Sequence, residues 1–480
     1  MKKPNIVLIL ADDMGYGDIS HLNEESKINT VNIDKIAREG KSFTDAHAAS
    51  AVCTPSRYSL LTGRYCWRGK LKRGVLFPFA GPLMEKELPT LPQKLKSVGY
   101  KTACFGKWHL GMDYPFANPQ DIDNPALGDE ARQMDLAGKI DYSRPIENGP
   151  NEYGFDYYFG VDVPNYPPYC FIENNHTVGI PDRLKPDSMF GNPGSMLEGW
   201  DLERIMPVLT DKVISYIEES DGEKPFFLYF PMTGPHTPIS PIKEFIGKSG
   251  AGIYGDYCLQ LDDTIGRVNR ALIDKGIESD TILIITSDNG SPGRDGNSAG
   301  PGTVKERYGH DPSWILRGMK GDIHEGGHRI PFIIKWPGRI KENSKDDRLI
   351  CLMDLISSLS SFAGYELNPE IQRDCLDLSP YFLDEGCDDV IRETLIHHSV
   401  RGLYAYRSGK WKLIFGTGSG GFTKDPVIHK TLTIYDEPGQ LYDLENDISE
   451  KDNLYGCFPD LVGEMDIAHR MCIHNKKNGE

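Results

Sequence analysis

Asn5-Ile6-Val7-Leu8-Ile9-Leu10-Ala11 is an unbroken apolar run that stops at Asp12-Asp13. It is short, and its hydrophobicity is continuous rather than alternating, which suits a strand covered on both faces. The pattern recurs. Tyr100–Gly106 runs into Lys107-Trp108-His109, Pro225–Met232 leads through Thr233-Gly234-Pro235 to His236, and Thr281–Ser287 runs into Asp288-Asn289. Helical patterns lie between them at Asn32–Glu39, Leu91–Val98, Leu202–Ser220 and Asp256–Lys275. This alternation predicts an α/β chain with a large doubly wound mixed sheet flanked by helices.

Two stretches break the rhythm. Gly111–Pro168, rich in Asn, Asp, Pro and Gly, and Ser291–Asp311 read as long surface insertions that shape a mouth. After a soft boundary in Asn368–Ile391 the character changes. Leu403–Phe415 reads as a hairpin turning at Ser408-Gly409, followed by Gly-rich Gly416–Gly421, a strand at Gln440–Asp443 and a helix near Pro459–Met471. The expected division is a catalytic α/β domain over 1–375 and a smaller C-terminal α+β subdomain over 376–480, with an antiparallel sheet and a helix.

The 480 residues hold 39% hydrophobic and 26% charged side chains, ordinary globular usage that excludes disordered and fibrous classes. Lys plus Arg number 53 against 70 Asp plus Glu, so the net charge of −17 argues against nucleic acid as a partner. No apolar run approaches the ~18 residues of a membrane span. The ten cysteines lack CxxC spacing and read as reduced thiols. The chain passes directly from Met1 into the first strand, so a cytoplasmic location is expected, or a secreted or periplasmic one if a signal has been removed.

In open α/β sheets ligands bind beyond the carboxyl ends of the strands. In a parallel sheet these ends would gather Asp12, Asp13, Asp288 and Asn289 beside Lys107, His109 and His236. The four oxygen-bearing residues form a hard-cation set suited to Ca²⁺ or Mg²⁺ and poor for Zn²⁺. Taken singly, each pair also reads as turn residues. In Cys53-Thr54-Pro55-Ser56-Arg57, Pro55 fits the first turn of a helix, which places Cys53 at a helix N-terminus. That cysteine reads as a buried structural residue, the usual fate of a lone Cys, or else as a thiolate nucleophile.

Cys53-Thr54-Pro55-Ser56-Arg57 with Leu60-Leu61-Thr62-Gly63-Arg64 resembles the hallmark of the type I sulfatases of the alkaline-phosphatase superfamily, in look closest to bacterial carbohydrate sulfatases of the N-acetylgalactosamine-6-sulfatase type. Further segments are similar to that family. They are Asp12–Asp18, Gly106–Gly111, Pro235–Pro238, Ser287–Gly290, Leu316–Gly321 with Glu325–Arg329, and Tyr442–Asp447, with Met319 where the family usually has Gly. The resemblance spans the whole chain. It implies a sulfuric ester hydrolase in which Cys53 is converted to formylglycine by a maturing enzyme and supplies the nucleophile. It also implies that Asp12, Asp13, Asp288, Asn289 and the converted Cys53 hold Ca²⁺, with Mg²⁺ as the alternative. Arg57 and Lys107 would steady the nucleophile, His109 would act as base, and His236 and Lys320 would contact the sulfate and protonate the leaving oxygen. A phosphoester or phosphonate hydrolase of the same superfamily, or a non-catalytic glycan-binding relative, is the alternative.

The expected substrate is a sulfated mono- or oligosaccharide derived from glycosaminoglycan, a hexosamine or galactose sulfate attacked from the chain end, 6-O ahead of 4-O. The basic strip Arg64, Arg68, Lys70, Lys72 and Arg73 is a candidate for reading a neighbouring uronate, or is a solvated loop. Val163–Tyr169 could stack on a sugar or form a rigid loop. Arg307, His310, His397 and His398 are further substrate candidates, the last two resembling, with Gly416–Phe422, segments of carbohydrate sulfatases that are expected to close the pocket from the small subdomain.

Overall fold

The structure, a computed structural model, describes residues 2–118, 136–296, 303–367, 374–384, 390–423 and 438–474. Asn5–Asp12 lies inside a sheet of ten strands, with Thr281–Ser287 parallel on one side and Phe226–Pro235 parallel on the other. Lys101–Lys107 and then Tyr157–Val161 continue the parallel set. Phe332–Lys335 and Lys41–Phe43 add antiparallel pairings, so the sheet is mixed. Register does the rest. Ala11 pairs with Ser287 and Asp12 with Pro235, so the polar residues that follow each strand meet at one edge.

Both faces are covered because alternate residues of one strand serve two cores. Val7 and Ile9 pack with the helices Val31–Arg38, Ile205–Glu219 and Gly252–Asp274. Ile6, Leu8 and Leu10 pack with Cys53–Thr62, Leu91–Ser97 and Leu355–Phe362 on the other face. A four-stranded antiparallel sheet follows, in the order Thr394–His398, Tyr404–Ser408, Trp411–Ile414 and Gln440–Asp443, with the helix Pro459–His474 against it. Leu395, Ile396, Leu413, Leu441 and Met465 join the same apolar core as Leu8 and Leu10. One face of the small sheet therefore extends the large core, while the other builds a small cluster of Ala405, Ile414, Tyr442 and Leu444 with Ile323.

Several expectations shift. Gly111–Pro168, read as insertion, contributes the core strand Tyr157–Val161, though 119–135 lie outside the described residues. That strand was hard to see because Gly160 interrupts it. A Cβ there would stand 1.9 Å from Gly106 O, so only glycine lets the two strands pair. Within Ser291–Asp311, of which 297–302 lie outside the described residues, Thr303 caps a short helix, Val304–Tyr308, through a capping box with Glu306. Ser408 pairs with Trp411, so the hairpin turns at Gly409-Lys410, one residue later than expected, with Gly409 at φ +53°. His397 and His398 lie in the strand Thr394–His398 rather than in a loop. The boundary region Asn368–Ile391 is partly outside the described residues. Among the described residues no helix is long and apolar enough to cross a membrane.

Candidate active site

Strand ends build the site. Asp12 closes Asn5–Asp12, and the chain turns at Asp13 with φ +71°, uncommon for a residue with a side chain. The turn delivers the Asp13 carboxylate to Lys320 Nζ at 2.7 Å and to Asn289 Nδ2 at 2.7 Å. Lys107 ends the next strand but one and donates to Asp12 Oδ2 at 2.7 Å. Gly106 lets it arrive, because its φ is +132° and a Cβ there would lie 1.9 Å from Pro231 O.

Cys53 opens the helix Cys53–Thr62, and Gly63 ends it in the left-handed conformation. The thiol is buried, with Lys320 Nζ 3.3 Å from Sγ and Asp13 Oδ1 at 4.0 Å. Arg57, one turn along, shares that helix face. Its Nε donates to Asp288 Oδ2 at 2.9 Å and Nη1 to Lys107 O at 3.0 Å, while Nη2 makes ion-pair contacts at 2.8 Å to Asp288 Oδ2 and 3.4 Å to Asp12 Oδ1. His236 places Nδ1 2.6 Å from Thr237 O, and its Nε2 lies 3.8 Å from Asp13 Oδ2. His109, at φ +56°, sets Nε2 against Leu76 O at 2.9 Å and leaves Nδ1 buried without a partner.

Electrostatics follow from this crowding. Burial pushes the Asp12 carboxyl up, but Lys107, His236, Arg57 and Lys320 together hold it well below the usual carboxylate range. Burial pushes Asp288 up to about 7 against the pull of Arg57, with Asp12 and Asp13 adding to the rise. Burial also raises the Cys53 thiol to about 12 and, with Lys320, lowers His236 to about 4. Lys320 is raised, since Asp13 and its neighbours overcome burial.

Asp12, Asp13, Cys53 and Asp288 each offer a ligand atom within 4.8 Å of the others. Asp12 Oδ1 and Asn289 Oδ1 are buried acceptors with no hydrogen-bond partner. A buried, unpaired acceptor is costly, and a hard cation would satisfy both together. The donor set therefore fits Ca²⁺ or Mg²⁺. A cavity of about 190 Å³ opens over Asp13, His236 and Lys320, walled by Asn165, Arg294 and Phe422.

The structure thus brings together Asp12, Asp13, Cys53, Arg57, Lys107, His236, Asp288, Asn289 and Lys320, with His109 beside Lys107 in sequence. The outlying candidates sit elsewhere. Arg307, half exposed, pairs with Asp295 at 2.7 Å. His310 is buried, with Nε2 2.8 Å from Asp18 Oδ1 and Nδ1 accepting from Lys27 N at 3.3 Å. His398 is buried, and its carbonyl accepts from Ala51 N at 3.1 Å, bracing the chain before Cys53. His397 belongs to a separate buried group with His47 and His328. In the basic strip, Arg68 forks onto Asp374 and packs over Trp67, Lys72 donates to Trp67 O at 2.6 Å, and Arg64 faces Glu85 at 3.8 Å. Arg294 was not singled out from sequence, while Phe422 and Asn165 entered only as members of Gly416–Phe422 and Val163–Tyr169. Arg294 lies in the second loop, Asn165 in the Val163–Tyr169 run and Phe422 just after the Gly-rich stretch, so loop position was the available signal.

The family model described as Sulfatase matches residues 4–365. An N-acetylgalactosamine-6-O-sulfatase of Bacteroides thetaiotaomicron is 33% identical over 505 residues, covering 97% of this chain and 92% of that protein. Human arylsulfatase A is 33% identical over 473 residues, covering 95% and 84%. Among solved structures, one tied to the metabolism of multiple glycosaminoglycans by Bacteroides thetaiotaomicron superposes with a TM-score of 0.81 at 31% identity, covering 99% of this chain and 100% of the other. Another shares the fold at 19% identity and a TM-score of 0.64, covering 100% of both chains, and was solved with its substrate D-glucosamine-2-N,6-O-disulfate.

Proposed function

Because the chain belongs to the sulfatase family and is a sulfuric ester hydrolase, we propose that it removes a sulfate ester from the terminal sugar of a sulfated mono- or oligosaccharide. The observation that carries this reading is Lys320 Nζ bridging Cys53 Sγ and the Asp13 carboxylate at the floor of the cavity. In this reading a maturing enzyme converts Cys53 to formylglycine, whose hydrate supplies the attacking oxygen. Asp12, Asp13, Asp288 and Asn289 would hold Ca²⁺, with Mg²⁺ the alternative, and the ion would offset charge on the sulfuryl oxygens.

This chain's own residues do the rest. Arg57 is anchored at four points and fixes Asp288 against the Cys53 helix, so that carboxylate is aligned before substrate arrives. Lys107, fully buried on Asp12, keeps positive charge beside the reacting centre. Lys320 holds its protons and reaches the sulfur position, which suits it to bind a sulfuryl oxygen and to protonate the leaving oxygen. His236 Nδ1 is held by the Thr237 carbonyl, leaving Nε2 to face Asp13 and the cavity as the second sulfate contact. His109 donates Nε2–H to Leu76 O, so its unpartnered Nδ1 is the lone pair available to take a proton.

The cavity's size supports action at a chain end. Its 190 Å³ is well under the roughly 300–1,000 Å³ of ordinary ligand pockets, and suits one sugar rather than a run of polymer. Arg294 has no side-chain partner among the described residues, and Asn165 Oδ1 is buried without one. A guanidinium and an amide oxygen at the wall suit an anionic group and an N–H or O–H of the sugar. The 6-O-sulfate of an N-acetylhexosamine is the first substrate to test, given the relative at 33% identity. The test is a panel of defined sulfated mono- and disaccharides, run beside intact chondroitin sulfate and a pair of aryl sulfate and aryl phosphate esters. Desulfation of the small saccharides, well above both polymer and phosphate, is expected. Equal release from polymer would overturn the chain-end reading, and preference for phosphate the sulfatase chemistry.

A further inference from the structure

His47, His328 and His397 meet in the seam between the two sheets, each with no exposed surface. They come from three segments. His47 ends the short strand Ala46–His47, His328 ends the turn of helix Glu325–His328, and His397 lies in Thr394–His398. One nitrogen of each ring is taken by an acceptor. His47 Nε2 lies 2.8 Å from Asp45 Oδ1, His328 Nε2 lies 3.0 Å from Ile323 O, and His397 Nδ1 lies 3.2 Å from Ala48 O. Carboxylate and carbonyl oxygens only accept, so a hydrogen on any of these three nitrogens is satisfied there.

The opposite nitrogens lie close together. His47 Nδ1 and His328 Nδ1 are 3.0 Å apart, His397 Nε2 is buried with no partner, and one ligand nitrogen from each ring lies within 4.8 Å of the others. Arg407 Nη1 and Lys412 Nζ lie 3.1 and 3.2 Å from the outer nitrogens of His47 and His328 and have hydrogens to donate there, so without a metal one of these rings can carry its hydrogen on the inner Nδ1 and donate it across the 3.0 Å gap, and a bound ion displaces that hydrogen. Adding a proton would create a buried imidazolium beside Arg407, Arg329 and Lys412. Burial, with these cations, keeps all three rings neutral.

We propose that His47, His328 and His397 form a buried site for a divalent transition-metal ion, zinc foremost, distinct from the oxygen cluster at the strand ends. Neutral imidazoles favour Zn²⁺, Co²⁺, Ni²⁺ or Cu²⁺ over Ca²⁺. Histidines that bind metal through one nitrogen usually donate the other to a carboxylate or carbonyl, as all three rings can here. The 3.0 Å spacing of the two Nδ1 atoms is close to the roughly 3.3 Å of two nitrogens bound tetrahedrally at about 2.05 Å. His397 stacks on His328 at 3.6 Å, and loading turns it about χ2, a soft torsion. The ion would pin the segment before Cys53, the segment after Lys320 and the small sheet to one point, and it would enter during folding.

The full-length protein is stripped with a chelator, refolded or incubated with Zn²⁺ under excess Ca²⁺, and desalted. Bound metal is then counted and the zinc K-edge spectrum recorded. About one zinc per chain is expected, with an imidazole shell at about 2.0–2.1 Å. Cys53→Ser, which removes the thiol from the neighbouring Asp13-Cys53-His236 group, should leave that count unchanged. His397→Phe keeps a ring on His328 and should lower zinc retention at least tenfold. Where that variant fails to fold, the wild-type spectrum decides. No retained zinc, a shell containing sulfur, or retention unchanged in folded His397→Phe overturns the site.

Discussion

The oxygen cluster at the strand ends and the imidazole cluster at the seam are both fully buried, yet they are held in opposite ways. In the first, carboxylates sit inside and cations grip them: Arg57 on Asp288, Lys107 on Asp12, Lys320 on Asp13. In the second, neutral rings sit inside and ion pairs wrap them: Arg407 on Asp45, Lys412 on Glu325 and Glu450. Charge concentrated at a cavity floor serves chemistry, because it can be redistributed onto a substrate. Charge arranged around a neutral centre serves cohesion between parts of the fold. Substitutions in the two places should therefore fail differently, and four experiments test that.

The largest effect belongs to the first cluster. Cys53→Ala and Asp288→Asn should each lower kcat/KM on a sulfated disaccharide at least about 10³-fold, roughly 4 kcal/mol, while circular dichroism stays native. Calcium chelation should act likewise and reverse on adding Ca²⁺. Activity surviving in Cys53→Ala would remove the contrast altogether.

Next comes the second cluster. Asp45 accepts both Arg407 Nη1 and Nη2, at 2.8 and 2.7 Å, and Arg329 Nη1 lies 3.2 Å away. Asp45→Ala leaves the Arg407 guanidinium buried without its carboxylate, while Arg329 keeps Glu325 at 3.3 Å, and should cost about 3–5 kcal/mol of stability in urea unfolding. Wild-type stability there would show that the wrapping charges do not hold the parts together.

A smaller effect sharpens the picture within the cavity. Arg294→Ala should raise KM about tenfold, near 1.4 kcal/mol, for a substrate bearing a carboxylate or second sulfate, with kcat within twofold. An aryl sulfate should not notice the change. The smallest effect is at Arg307, half exposed on Asp295. Arg307→Ala should move stability by under about 1 kcal/mol and kcat/KM by under threefold, and a tenfold loss would return Arg307 to the substrate groups.

Legibility divides along the same line. The oxygen cluster could be read because its members sit in adjacent pairs directly after apolar runs, and a parallel sheet must gather such ends. Asp12-Asp13 and Asp288-Asn289 follow strands that pair in register, Ala11 with Ser287. The imidazole cluster had no such signal. His47, His328 and His397 lie in unrelated local contexts, and only the docking of the small sheet joins them. His397 was consequently assigned to a pocket rim instead of the seam. Tyr157–Val161 was missed for another reason, since Gly160 weakens its apolar signature while serving strand packing. Arg294 and Asn165 were hidden because loop conformation, not periodicity, decides which residues of a loop face inward.

Burial of Cys53 finally sets a timetable for synthesis. In the folded chain the thiol is 2% exposed, out of reach of a modifying enzyme. Lys320, which covers it, follows Cys53 by about 270 residues. A ribosome adding roughly 5–20 residues per second needs roughly 15–50 s for that length. For that interval the Cys53–Arg64 segment has emerged while Lys320 and the small sheet have yet to be made. On the proposed formylglycine reading, the fraction of chains carrying a converted Cys53 should thus rise as translation slows, and chains that finish folding unconverted should stay so.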